Sequence, residues 1–100
     1  MKADKLLDEL IELARTAGYS VRREVGTFRG GACIVKDQQL IIINRSMPHE
    51  AAAVILARAL AKLQVDDGFV KPAVREILTR ERLYVEKHPD VSIVLKTEAA

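Results

Sequence analysis

Cysteine, aromatic residues, net charge and long apolar runs are all scarce in this chain of 100 residues. Cys33 stands alone, so no intrachain disulfide can form and nothing calls for an oxidising compartment. A cytoplasmic setting is the expectation. The aromatics are only Tyr19, Phe28, Phe69 and Tyr84, which leaves the core to Leu, Ile, Val and Ala and favours close helix contacts. A formal net charge of +2 is too small to imply nucleic acid by itself. No apolar run approaches the ~18 residues a membrane span needs, and the start of the chain alternates charge with leucine, unlike a secretory leader. Neither membrane insertion nor export by a leader is expected. Internal repeats, linkers and low-complexity segments are lacking too.

What is present belongs to a globular protein. Apolar residues make up 49% of the chain and charged ones 30%. At this length a chain buries roughly 60 to 68% of its unfolded surface, enough for one modest core, so a single domain over 1–100 is expected.

The chain is organised around residues 39–63, where an apolar run, a polar turn ending in proline and an alanine-rich helical pattern follow one another. Ahead of this stretch, Leu6, Leu7, Leu10, Ile11 and Ala14 recur at helical spacing and predict an amphipathic helix over 3–17, closed by Gly18. Residues 19–25 alternate as a half-exposed strand, and 26–31 form a glycine-rich connection. Residues 32–36 and 39–44 read as a hairpin across Asp37 and Gln38, with Val35 facing Leu40, Ile34 facing Ile41, Cys33 facing Ile42 and Ala32 facing Ile43. Because 40–43 is apolar on both faces, this strand is expected at the centre of the sheet, with helices on at least one side.

Pro48 suits the first turn of a helix over about 48–63, with Ser46 or Asn44 as its cap. Six alanines join Val54, Ile55, Leu56, Leu60 and Leu63 to make it nearly apolar all round, interrupted by Arg58 and Lys62. After a turn over 65–70, Pro72 opens a third helix that His88, Pro89 and Asp90 stop. Residues 91–95 either add an edge strand or stay loose, and 97–100 fray. The fold class that results is α+β, in the order α-β-β-β-α-α, with a small antiparallel sheet packed by helices.

The run Ile41-Ile42-Ile43-Asn44-Arg45-Ser46-Met47-Pro48, then Glu50, then Val54-Ile55-Leu56-Ala57-Arg58-Ala59-Leu60-Ala61-Lys62, resembles the segment leading into the H-E-x-x-H helix of small bacterial zincin metallopeptidases. It covers about 25 residues. The resemblance implies a strand, a proline-opened helix and a metal motif at fixed spacing. At the motif itself this chain departs from the family: Arg58 takes the first ligand position, Ala59 the general base and Lys62 the second ligand. Two cations cannot hold zinc and alanine cannot move a proton, so the resemblance implies a degenerate, metal-free scaffold without a cofactor. Glu76 is the candidate for the family's third, carboxylate ligand. From Phe28-Arg29-Gly30-Gly31-Ala32-Cys33 through Pro72-Ala73-Val74-Arg75-Glu76 the chain also resembles a family of short, uncharacterised bacterial proteins, a likeness that carries no activity.

The expected role is therefore a non-catalytic interaction or regulatory module with a protein partner, its oligomeric state open. Arg58 and Lys62 either line the former cleft as an anion site or mark a solvated strip of a buried helix. Arg22, Arg23, Arg29 and Lys36 face a single acid, Glu24, over 20–36, so Arg22 and Arg29 are candidate binding residues, with Phe28 near them to stack. A weak nucleic-acid binder is one alternative, though no fingerprint supports it. An enzyme is the other, either a metallopeptidase with displaced ligands or a thiol enzyme using Cys33 with a base such as His49. The bland reading of Cys33 is a small core residue, and of His49 and His88 helix-end surface residues.

Overall fold

The computed structural model of the chain describes residues 1–25, 32–66, 68–88 and, for the backbone alone, 94–96. The order is α1 (Ala3–Thr16), β1 (Ser20–Glu24), β2 (Ala32–Val35), β3 (Leu40–Asn44), α2 (His49–Lys62), α3 (Pro72–Lys87) and β4 (Val94–Lys96). The α+β class and the succession α-β-β-β-α-α hold, and β4 joins them as an additional edge strand.

β3 sits inside the sheet, whose strands lie in the order β1-β3-β2-β4. The hairpin pairs Val35 with Leu40, Ile34 with Ile41, Cys33 with Ile42 and Ala32 with Ile43, as the apolar matching requires. Its turn is longer than two residues. Residues Lys36–Gln38 make a single 3-10 turn, and Gln39 takes a left-handed conformation at φ 49°, donating its N–H to the Lys36 carbonyl at 3.0 Å.

The sheet is mixed and not antiparallel throughout, because β1 runs parallel to β3, with Ser20 beside Leu40 and Glu24 beside Asn44. The hairpin explains this. β3 folds back from β2 into the space beside β1, which gives the most apolar strand a partner on each edge and leaves β1 and β2 separated. β4 lies parallel to β2 on the far side.

Alternation divides the two faces of the sheet. Ala32, Ile34, Ile41 and Ile43 join Leu7, Leu10 and Ala14 of α1, the buried alanines and leucines of α2, and Val74, Ile77 and Leu78 of α3 in one core. Burying each of the larger side chains contributes about 1.5 to 3 kcal/mol. Cys33, Val35 and Leu40, with Ile42 beside them, form a smaller cluster on the opposite face.

Two helices end in the same way. Tyr19 N–H reaches the Ala14 carbonyl at 2.9 Å and Gly18 N–H the Arg15 carbonyl at 3.0 Å, a Schellman closure with Gly18 at φ 92°. At the end of α2, Val65 N–H reaches Leu60 and Gln64 N–H reaches Ala61, both at 3.0 Å, but here the left-handed position, φ 55°, belongs to Gln64. The start of α2 departs from expectation. Pro48 precedes the helix instead of opening it, and no side chain caps it. Asn44 and Ser46 are engaged with each other: the Asn44 Oδ1 accepts from the Ser46 N–H at 3.1 Å and from its hydroxyl at 2.8 Å, closing the turn between β3 and α2.

Gln64 is exposed and bears a Cβ where glycine is favoured. Gln64→Gly should raise the unfolding free energy by about 0.5 to 1 kcal/mol in urea titration, whereas a loss would contradict the closure described.

Candidate functional site

α2 is enclosed by the sheet, α1 and α3, and its buried residues Ala52, Ala53, Ala57 and Ala59 permit that close approach. Its surface toward α3 carries one strong charge, Arg58. Opposite stands Glu81, the one buried charged residue among those described, at 4% exposure. The Arg58 Nε–H donates to Glu81 Oε1 at 2.8 Å, and the Arg80 Nε–H donates to Oε2 at 2.9 Å.

The Arg58 guanidinium also lies over the Tyr84 ring, its central carbon 3.9 Å from the ring centroid. Tyr84 stacks in turn on His88 at 4.2 Å with 21° between planes. Since both neighbours approach the ring centre, they must take opposite faces, so Tyr84 is held between guanidinium and imidazole. His88 Nδ1 lies 3.0 Å from the Tyr84 carbonyl oxygen. Glu81, Tyr84 and His88 follow at spacings of three and four on α3, which places them along one helical face.

Energetics identify what holds this cluster. A carboxylate taken out of water costs several kcal/mol unless it is paired and hydrogen-bonded. Arg58 supplies most of the compensation, because its side chain is only 22% exposed, while Arg80, at 61%, adds little. The stacked tyrosine shields the pair and adds a cation–π contact of roughly 0.5 to 2 kcal/mol.

The other expected residues are dispersed. Lys62 lies one turn beyond Arg58, half-buried, with no ion-pair partner among the described residues. Arg22 is exposed on β1 and pairs with Glu24 at 3.2 Å, on the face of the sheet away from the helices, so it does not converge with Arg58 and Lys62. Arg29 and Phe28 lie outside the described residues. Cys33 is buried among Val35, Leu40 and Ile42, and His49 is exposed at the first position of α2. Glu76 is exposed as well; the carboxylate that faces Arg58 is Glu81.

Two shallow depressions open nearby, and neither contains Arg58 or Lys62. One, of about 210 Å³, lies between α1 and α3 beside Leu13, Val74 and the fully exposed Phe69, at the Glu9–Lys71 ion pair of 2.6 Å. The other, of about 430 Å³, lies at the end of α2 beside Gln64, Arg82 and Val85. Among the described residues, no three His, Cys, Asp or Glu side chains converge as metal ligands would. No protein-family model, curated protein or solved structure matches the chain.

A signal for Glu81 was present in the sequence. Val74, Ile77, Leu78, Tyr84 and Val85 trace an apolar stripe on α3, and Glu81 falls inside it, as Arg58 falls inside the apolar surface of α2. Opposite charges interrupting the apolar faces of successive helices point to each other.

In a double-mutant cycle on Arg58→Met and Glu81→Leu, urea unfolding should give a coupling of about 1.5 to 3 kcal/mol, with the Glu81 change alone costing about 3. Additive effects would show that the two side chains do not share the seam.

Proposed function

We propose that the chain is a small bacterial, cytoplasmic, non-catalytic interaction or regulatory module, built on a zincin-like scaffold in which an ion pair stands where metal chemistry would be. The Arg58–Glu81 contact carries this reading. Arg58 occupies the position that corresponds to the first imidazole ligand, and its partner is a buried carboxylate on the following helix, the kind of group that would complete a metal site.

The residues present do not fit a zinc ion. Arg58 and Lys62 are cations without a lone pair to donate at neutral pH, and Ala59, at the position of the general base, is fully buried in the core. The engagement of the guanidinium by Glu81 and Tyr84 supports a structural role for it at this seam. Such a scaffold retains a stable surface for a partner without the means to cleave it. No helix among the described residues is long and apolar enough to cross a membrane.

The purified protein should retain substoichiometric zinc after dialysis and leave peptides intact. The variant Arg58→His/Lys62→His places imidazoles one turn apart on α2, the first of them opposite Glu81, and it should bind cobalt with a tetrahedral visible spectrum. Adding Glu81→Gln should weaken that binding by on the order of tenfold. Stoichiometric zinc in the unmodified protein, or a folded double variant that takes up no metal, would overturn the proposal.

A further inference from the structure

Among the described residues β1 has a partner on one side only, β3. Its alternate residues Ser20, Arg22 and Glu24 turn their backbone groups inward: the Ser20 N–H donates to the Gln39 carbonyl and the Glu24 carbonyl accepts from the Arg45 N–H, both at 2.9 Å. In a parallel ladder the residues between them aim the other way. The N–H and C=O of Val21 and Arg23 thus point from the free edge, and among the described residues nothing pairs with them.

Arg23 makes a second, independent demand. Alternation puts its side chain on the helix-covered face with Val21, and its Nε is buried without any hydrogen-bond acceptor. A buried donor without a partner is rare and unfavourable, and a carboxylate entering beside β1 would satisfy it with a charge-assisted bond. On the other face Arg22 is exposed, and Val25, just past the strand, is 80% exposed.

Charge selects the guest. Two copies of β1 joined edge to edge would bring Arg23 or Arg22, according to register, against its own counterpart, the kind of like-charge contact by which edge strands resist self-pairing. An acidic strand meets the same edge with attraction. We propose that the free edge of β1 is a docking strand for an extended segment of an acidic partner polypeptide, which pairs with the backbone of Val21 and Arg23 and sets a carboxylate on the Arg23 guanidinium. This rests on the chain being an interaction module and is independent of zincin-like ancestry.

The test titrates three labelled peptides into the full chain: alternating glutamate and valine, alternating lysine and valine, and the glutamate peptide N-methylated at alternate amides. Fluorescence anisotropy reads affinity, and amide NMR shifts read the location. The glutamate peptide should bind saturably and shift Val21 and Arg23 above all, with the other two peptides weaker by about tenfold or more. Arg23→Gln, checked for its fold by circular dichroism, should weaken the glutamate peptide by roughly tenfold. N-methylation leaves the protein unaltered, so it decides the matter even if that variant is unstable. Equal binding of the N-methylated peptide, shifts confined to other elements, a dimer formed through β1, or a single-stranded oligonucleotide displacing the peptide from these amides would each overturn the docking strand. Binding followed by cleavage would support the docking strand and contradict only the non-catalytic reading; absence of binding contradicts the docking strand alone.

Discussion

An alanine-rich helix in contact with a sheet and two other helices can carry a charge only if that charge finds its counterpart within the contact. α2 is that helix, and Arg58 is that charge. The alanines bring α3 close enough for Glu81 to reach the guanidinium at hydrogen-bond distance, and the pair then fixes how α3 lies. Remove Glu81 and Arg58 is left as a half-buried charge without its carboxylate; remove Arg58 and the buried Glu81 keeps only the exposed Arg80, so either loss is more damaging than losing the contact itself. The seam is therefore specific as well as tight.

The same geometry decides what Arg58 can do. A guanidinium whose Nε–H is held by a carboxylate and whose face lies on an aromatic ring is fixed in place, and it cannot give lone pairs to a metal. The middle of α2 therefore lacks the donors that zinc requires, and the exposed features among the described residues include the outer edge of β1, Phe69 ahead of α3 and the charged outer face of α3.

Much of the fold was legible because its signals are local or repeat. The hairpin register follows from matching four apolar residues to four others, and a one-residue slip would take Ile41 and Ile43 off the side of Ile34 and Ala32. The end of α1 followed from Gly18 and the start of α3 from Pro72. The parallel pairing of β1 with β3 was not legible, because it depends on where a returning strand finds space and no residue of β1 encodes that. The short polar turn before α2 misled in another way: Asn44 and Ser46 are good caps, but they bond to each other across two residues before the helix begins. The candidate site was half legible. Arg58 stood out on its helix, whereas Glu81 looked like one more charge on a charged helix until its place in the apolar stripe was taken into account.

The packing of α3 on α2 depends on Arg58 being fixed in the seam, and the side-chain N–H spectrum of the protein's arginines measures that directly. With the protein labelled with 15N, the Arg58 Nε–H should appear as a separate, slowly exchanging resonance, displaced by the Tyr84 ring and lost into the solvent-exposed group when Glu81 is changed to Gln. An Arg58 signal that already exchanges and overlaps with those of Arg22 and Arg80 would mean that the guanidinium is free in solution and does not hold α3 to α2.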